Sequence, residues 1–195
     1  MEDKMIEKII EFTKKKMEGS HDFDHVLRVV RFCEIIGQNE NAKMDILIPA
    51  AYLHDIARSL EEKDKSVDHA IAGSKIALDF LKSIGHPYAE EISYVISVHR
   101  FSRGLVPQKL EAKILQDADR LDAIGAIGIY RAIMYSALNG RNIQDTISHF
   151  ESKILNLKDL MHTDTAKKMA EKRHQIVFEF VKSLKEDLMQ IEKQI

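Results

Sequence analysis

The sequence predicts an all-α fold, and three observations support this. Proline and glycine, which interrupt helices, are scarce, at three and eight of 195 residues. Apolar residues recur at helical spacings of three, four and seven along successive stretches. We find no run with the apolar–polar alternation of a half-buried strand. The length favours one domain, which we assign to 1–195, with a motif-bearing core at about 20–125 and a C-terminal helical extension at about 143–195.

Interruptions in the apolar pattern predict where the helices lie. They cover about residues 5–17, 22–37, 43–58, 69–84 and 92–99, followed by one that reaches residue 122 and a long one from about residue 164. Gly19-Ser20 and Gly37 are expected to end the first two helices, and Ser20 or Asp22 to cap the start of the second. Pro49 lies early enough in the third helix to kink it without ending it. The other breaks are a charged loop at 61–65, a turn at 85–87, a loop at 102–107 and a break at 139–140.

Two patterns in the second half of the chain concern packing. The stretch Ala123-Ile124-Gly125-Ala126-Ile127-Gly128 is rich in small residues. We interpret its glycines as sites of close helix packing, because no phosphate-loop lysine follows them. The last helix carries an apolar stripe that we expect to pack on the body of the domain, with a homodimer contact as the alternative. The stripe consists of Met169, Ile176, Val177, Phe180, Val181, Leu184, Leu188 and Ile191.

Composition excludes several classes of protein. The chain has 29 basic and 31 acidic residues, which gives no reason to expect a nucleic-acid or membrane partner. The first residues lack the basic-then-apolar order of a signal peptide, and no apolar run approaches the roughly 20 residues of a membrane span. We therefore expect a cytoplasmic protein. Cys33 is the only cysteine and is expected to be a small buried thiol.

A histidine and an aspartate are adjacent near the end of the third predicted helix. His54 continues a row formed by Leu47, Ala50 and Ala51, so its imidazole is expected to face the core. Asp55 lies about 100° further round the helix. Both side chains can still bind one ion placed over the groove between them, at about 2.0–2.2 Å. A lone His-Asp pair is more often exposed or part of a satisfied core, so the interpretation depends on the rest of the chain.

Further candidate ligands come from other predicted helices. His25 begins an inward-facing row with Val29, Phe32 and Ile36. Three aspartates, Asp117, Asp119 and Asp122, lie close together, and spacing alone does not choose among them. Asp122 is nearest the centre of the buried stripe, and the other two are on its flanks. Two imidazoles and two carboxylates, contributed by three predicted helices, suit Mn²⁺, Zn²⁺, Fe²⁺, Co²⁺ or Ni²⁺ better than Ca²⁺.

The order His25, His54-Asp55, Asp119 resembles the signature of the HD-domain metal-dependent phosphohydrolases. The local sequence is similar as well, in His-Asp-Phe-Asp-His-Val-Leu-Arg-Val at 21–29, Ala-Tyr-Leu-His-Asp-Ile at 51–56 and Asp-Ala-Asp-Arg-Leu-Asp at 117–122. The resemblance covers roughly 20–125, and the later Ala-Ile-Gly-Ala-Ile-Gly and 149–163 stretches are similar to a bacterial branch of small, stand-alone members. It implies an HD-like helical bundle with a divalent metal in its core, held by His25, His54, Asp55 and Asp119. The last of these is chosen because the family's final ligand directly precedes Arg-Leu. Mn²⁺ is favoured, and Zn²⁺, Fe²⁺, Co²⁺, Ni²⁺ or Mg²⁺ are alternatives.

The resemblance also implies roles for residues around the metal. His69 and His99 match pocket-lining positions, and in two-metal members histidines in these regions bind a second ion. Here Arg100 follows His99 where the two-metal pattern has another histidine, so we favour one metal, with His69 and His99 on phosphate or the attacking water. Satisfied polar groups in a helical interior are the alternative for both. His21 is expected to support the site or cap a helix, and Arg120 to brace the helix of Asp119.

Arg58 is a departure from several nucleotide-cleaving branches, which carry a glutamate three residues after the HD aspartate. A cation cannot act as a general base at neutral pH, but it can hold a phosphate oxygen. Water activation would then fall to the metal, which lowers the pKa of its bound water. Close kinship with those branches is therefore not expected.

The implied activity is hydrolysis of a phosphate ester or anhydride. A nucleotide substrate is expected, first a nucleoside triphosphate losing pyrophosphate and second a nucleoside monophosphate losing phosphate. Arg58, His69 and His99 would neutralise the charge that develops on the phosphate. Two other classes stay open at this point: a module that binds metal and nucleotide without cleaving, and a structural bundle whose polar residues face water.

Overall fold

The computed structural model describes residues 2–17, 23–100 and 106–192. Over these ranges all regular structure is helical, with ten α-helices and one 3₁₀ helix, which confirms the predicted all-α fold. The α-helices are α1 (Glu2–Lys16), α2 (Phe23–Asn39), α3 (Met44–Leu53), α4 (Arg58–Lys63), α5 (His69–Ser83), α6 (Ala89–Ser97), α7 (Leu110–Asp122), α8 (Gly125–Leu138), α9 (Ile143–Ser152) and α10 (Asp164–Glu192). The 3₁₀ helix is Ile154–Leu160.

The chain forms two compact units, Met1–Ala118 and Asp119–Ile195. The first contains α1 to α6, the second contains α8 to α10, and the division falls inside α7. The assignment of 1–195 to a single domain stays a prediction. Several predicted features lie outside the described residues: the Gly19-Ser20 helix end, the Ser20 or Asp22 cap, the supporting role of His21 and most of the loop at 102–107.

The first unit is built around α3, which packs against α1, α2 and α6, while α5 packs against α6. The row predicted for α2, with Val29, Phe32 and Ile36, is buried, and so is Cys33. α5 begins where Asp68 caps it, because its carboxylate accepts hydrogen bonds from the backbone N–H groups of Ala70 and Ile71. The interior of this unit is therefore formed by the helix faces that the apolar spacing predicted.

The prediction that Gly37 ends α2 is wrong, because the helix continues to Asn39. Gly37 is buried, and a Cβ atom built on it would lie 2.7 Å from the side chains of Leu47 and Met44. Its small size allows α2 and α3 to approach closely. The glycine thus serves helix packing here, and the turn that follows is made by Asn41, which has a φ of 57°.

The third predicted helix is also divided differently. α3 ends at Leu53, residues 54–57 form tight turns, and α4 occupies part of the predicted charged loop. In these turns the N–H of Arg58 donates to the carbonyl oxygen of Asp55, three residues back. α6 likewise ends at Ser97, so His99 follows the helix that was predicted to include it. His54 and His99 each therefore lie just after the C-terminus of a helix.

In the second unit, glycines at positive φ delimit α8. Gly125 starts it with a φ of 78°, and Gly140 follows it with a φ of 64°. A Cβ on Gly125 would lie 3.2 Å from the side chain of Arg173 on α10, which confirms the prediction of close packing. α10 buries Val177 and Val181 of its predicted stripe, but the inclusion of Ile176 is wrong, because this side chain is 42% exposed.

Among the described residues, no single helix is long and apolar enough to cross a membrane. α7 and α8, which meet at a bend, reach that length and composition only when they are counted together.

Candidate metal centre

Two buried imidazoles face each other in the first unit. His25 lies near the start of α2, and His54 follows α3. Both side chains are buried, as their helical rows predicted. Their Nε2 atoms are 3.3 Å apart. The structure therefore brings together the two histidines that the sequence motif places 29 residues apart.

Backbone carbonyl groups orient two of the imidazoles. The Nδ1 atom of His54 lies 2.7 Å from the carbonyl oxygen of Ala51. The Nδ1 atom of His99 lies 2.6 Å from the carbonyl oxygen of Ile96. A carbonyl oxygen only accepts hydrogen bonds, so each Nδ1 is the protonated donor. In the neutral rings, Nε2 then presents its lone pair to the centre of the site.

Asp55 lies between four imidazoles and is only 7% exposed. Its Oδ2 atom is 3.8 Å from Nε2 of His25 and 3.7 Å from Nε2 of His54. Its Oδ1 atom is 3.4 Å from Nε2 of His69 and 3.7 Å from Nε2 of His99. Each carboxylate oxygen thus faces a different pair of histidines. Asp55, His69 and His99 by themselves form a group whose ligand atoms all lie within 4.8 Å of one another.

Glu61 orients His69 from the outer side. Its Oε2 atom is 2.8 Å from Nδ1 of His69, so the carboxylate accepts the Nδ1 hydrogen and the lone pair of the neutral ring is on Nε2. Glu61 also accepts a hydrogen bond from Arg100, and Arg58 lies 3.2 Å from both ring nitrogens of His69. The two guanidinium groups are partly exposed at the edge of the site. The site therefore combines a buried acceptor cluster with cations at its rim.

Sequence reasoning missed Glu61 and the contact of Arg100 with it. Glu61 lies three residues after Arg58, which puts both on one face of α4, and this spacing is the signal that could have found it. Glu61 was assigned to a charged loop, in which spacing has no such meaning, while Arg58 was placed at the end of the third predicted helix.

The charge states follow from burial and neighbours. Burial raises the pKa of Asp55, but interactions with His54, His99 and Arg58 more than offset this and hold the pKa well below its ordinary value. Burial also raises the pKa of Glu61, and His69 together with Arg100 brings it below its ordinary value. Burial lowers the pKa of His69, which the Asp55 and Glu61 carboxylates offset only in part. At neutral pH both carboxylates are therefore ionised, and His69 is neutral.

The residues present fit a divalent cation. Neighbouring ligands on one ion with bonds of about 2.1 Å lie roughly 3.0–3.4 Å apart. The observed separation of the His25 and His54 Nε2 atoms is 3.3 Å, and those to Asp55 are slightly wider. A carboxylate buried among imidazole nitrogens is stabilised by a positive charge at the centre of the site. Imidazole and carboxylate together suit first-row divalent ions.

The aspartates of α7 differ in burial and partners. Asp117 and Asp122 are fully buried, and Asp119 is half-buried. Asp122 contacts Arg131 of α8 within the second unit, although spacing had placed it nearest the buried centre. Arg120 donates to the carbonyl oxygen of Leu160, which fits the bracing role predicted for it. Asp119 is the first residue of the second unit, and its role as a ligand stays a prediction.

An all-α fold whose interior places imidazoles around a buried carboxylate defines a helical protein with a candidate divalent-metal centre. The HD domain model matches residues 22–124, which is more than half of the chain and includes every histidine and carboxylate of this site. The chain therefore belongs to the HD-domain family.

Individual relatives agree with this. The chain is 37% identical to the uncharacterized protein YpgQ of Bacillus subtilis over 178 residues, which cover 87% of this chain and 85% of YpgQ. The crystal structure of B. subtilis YpgQ in complex with ADP is similar with a TM-score of 0.77 and 31% identity, over 95% of this chain and 96% of that one. An HD-superfamily hydrolase from Bacillus thuringiensis is similar with a TM-score of 0.79 and 32% identity, over 96% and 98% of the two chains. The fold is that of the HD-superfamily hydrolases.

Proposed function

We propose that this protein is a metal-dependent phosphohydrolase that acts on a nucleotide. One observation carries the proposal: the ionised Asp55 carboxylate is buried among the Nε2 atoms of His25, His54, His69 and His99. Such an arrangement has little structural value, because the cost of burying a charge commonly exceeds what its neighbours return. It is useful if a cation binds there.

His25, His54 and Asp55 would hold the ion, and the sequence motif adds Asp119 as the fourth ligand. A divalent ion bound there would supply a Lewis acid that polarises a phosphoryl oxygen and lowers the pKa of bound water. Mn²⁺ is our first choice, with Zn²⁺, Fe²⁺, Co²⁺, Ni²⁺ and Mg²⁺ as alternatives. We favour one ion, and a second ion on Asp55, His69 and His99 is the alternative. Metal analysis decides between one and two equivalents per chain.

The chain's own residues would bind and orient the phosphate. Arg58 lies at the partly exposed edge of the site, where its guanidinium can donate to a phosphate oxygen. His69 and His99 present Nε2 to the centre and can accept a proton from water or, when protonated, donate to phosphate. Glu61 holds His69 in the orientation that this requires.

A nucleotide substrate is supported by one relative, since YpgQ has been crystallised with ADP. We propose a nucleoside triphosphate as substrate. Water would add to the α-phosphorus and the bond to the bridging oxygen would break, releasing a nucleoside monophosphate and pyrophosphate. Loss of phosphate from a nucleoside monophosphate is the second choice. The basic residues at the rim, Arg58 and Arg100, favour an anionic ligand in either case.

A sensor that binds metal and nucleotide without cleavage is the second candidate. Arg58 favours it, because it stands where cleaving branches of the family have a glutamate. The two candidates are separated by incubating the purified protein with a panel of nucleoside mono-, di- and triphosphates and Mn²⁺. Release of pyrophosphate or phosphate supports the hydrolase. Nucleotide binding by calorimetry with no product over the same panel supports the sensor.

A further inference from the structure

The outward face of α8 is unusual for a helix at a protein surface. Its inward face consists of small residues that pack on the second unit: Gly125, Gly128, Ala132 and Ser136. Its outward face consists of large apolar side chains, each between 38% and 80% exposed: Ile127, Tyr130, Ile133, Met134, Tyr135 and Leu138. We call these six residues the α8 apolar face. The helix is apolar all round, which is the pattern of a helix covered on both sides.

Charge is nearly absent from this helix. Arg131 is its one charged residue, and the guanidinium of Arg131 contacts Asp122 within the same unit. α10 is different: its exposed apolar residues, such as Ile176 and Phe178, stand among exposed Glu171, Lys172 and Glu179. Scattered apolar residues of that kind are ordinary on a surface. The α8 apolar face is contiguous, so it needs a separate explanation.

The area of the face indicates the size of its occupant. The exposed parts of the six side chains amount to roughly 600 Å² of apolar surface, the upper end of what a monomer leaves in one patch. Two such faces in contact would bury about 1,200 Å² in total, which reaches the lower limit of a specific interface. The face is therefore large enough for a self-association contact and small for a larger partner.

We propose that the α8 apolar face is the contact between two copies of this chain, related by a twofold axis. A surface with little charge is self-complementary, because it meets its own copy with little like-charge repulsion. Arg141, whose guanidinium lies over the Tyr135 ring, is at the edge of the face. A membrane is a poorer occupant, since an interfacial helix needs a polar, basic face opposite its apolar one. α8 has small buried residues there instead. We place the axis near Ile133, which lies near the middle of the helix, so that this residue meets its own copy.

The test compares two matched substitutions, Ile133→Glu on α8 and Ile176→Glu on α10. Both isoleucines are 42% exposed and lie in the same unit. Light scattering after size-exclusion chromatography, over a dilution series of the full chain, gives the mass. The wild type and Ile176→Glu are expected to have the mass of two chains. Ile133→Glu is expected to dissociate, with a dissociation constant raised at least about 100-fold by the buried charge.

Other results overturn the proposal. A wild type that is monomeric, whether or not it binds lipid vesicles, would contradict it. So would an Ile133→Glu variant that remains dimeric. Dissociation by Ile176→Glu alone would move the contact to α10. If Ile133→Glu does not fold, Ile133→Cys replaces it, because Cys33 is buried and does not interfere. Oxidation is expected to link the Ile133→Cys chains into a covalent dimer and to leave Ile176→Cys as single chains. Failure of Ile133→Cys to link overturns the proposal as well.

Discussion

At the scale of single residues, the arrangement around Asp55 depends on which nitrogen of each ring bears the proton. Ala51, Ile96 and Glu61 each accept from the Nδ1 atom of a histidine, and the Nε2 atoms of those rings are thereby directed to the centre. Outer partners of this kind fix the tautomer and orientation of metal-binding histidines. The carbonyl groups of Ala51 and Ile96 and the carboxylate of Glu61 therefore orient the histidines from the outer side of each ring.

Replacing Asp55 by Asn tests the centre of the site. The side chain keeps its size but loses the negative charge that balances a divalent ion, so metal binding and turnover are expected to fall below detection. Asp79→Asn, on the exposed face of α5, is the matched control and should change neither. The measurements are metal content by elemental analysis and product release. Full activity of a metal-stripped Asp55→Asn preparation would contradict the proposed function.

Replacing Glu61 by Gln tests the orientation of His69. The amide keeps the shape of the side chain, but it no longer favours one tautomer of the imidazole, and it weakens the hold on Arg100. Activity is expected to fall about 10–100-fold, the range found for such outer carboxylates, chiefly in kcat. The exposed neighbour Glu62→Gln is the control. An equal loss in both variants, or a change in KM alone, would argue against this role.

Periodicity predicted some of these residues and not others. His25 and His54 were placed inside because they continue rows of apolar residues, and both are buried. The same argument could not select one aspartate of α7, because burial does not reveal charge pairing: Asp122 is buried but contacts Arg131. Glu61 was missed because it was assigned to a loop, and because its partner His69 lies on a different helix.

At the scale of the elements, the sequence predicted which stretches are helical better than where they end. α3 ends at Leu53, where no glycine or proline marks the end in the sequence. The chain continues there as tight turns over 54–57, whose side chains are buried. Gly37 is the reverse case: the sequence predicted that it ends a helix, but it lies inside α2 and allows close packing against Met44 and Leu47. A glycine in the sequence does not by itself show whether it ends a helix or allows close packing, because that depends on which residues contact it in the folded chain.

Gly125 and Gly140 provide a matched pair for measuring the cost of close packing. Both have positive φ, so alanine at either position is expected to lose about 1–2 kcal/mol from backbone strain. Only at Gly125 would the new Cβ meet another side chain, that of Arg173. Gly125→Ala is therefore expected to lower the free energy of unfolding more than Gly140→Ala does, by about 1 kcal/mol. Chemical denaturation of both variants measures this, and equal losses would show that Arg173 moves aside freely.

At the scale of the whole molecule, composition and apolar spacing were sufficient for the fold class. The division into two units at Ala118 and Asp119 could not be predicted, because it falls inside a continuous helix with no linker, glycine or proline. Such a boundary is defined only by which helices pack together in space.

Metal binding is expected to stabilise the molecule as a whole. An ion that binds only the folded chain adds about 2.7 kcal/mol at a hundredfold excess over its Kd. For a chain of this length that corresponds to a rise in Tm of roughly 5–10 °C. Adding Mn²⁺ to chelator-treated protein in a thermal melt measures the shift, and Asp55→Asn should show none. The same rise in both proteins would mean that the ion binds elsewhere.

The placement of His54 and His99 just after α3 and α6 has a kinetic consequence. The last carbonyl groups of a helix bear about half an elementary negative charge, and the C-terminal ends of α3 and α6 lie beside a centre that already contains the Asp55 carboxylate. Without a bound metal ion, this negative charge repels a polyphosphate that Arg58 and Arg100 attract to the rim. Binding is therefore expected to follow a compulsory order, with the ion first and the nucleotide second. Excess free nucleotide would then slow turnover by sequestering the ion before it reaches the protein.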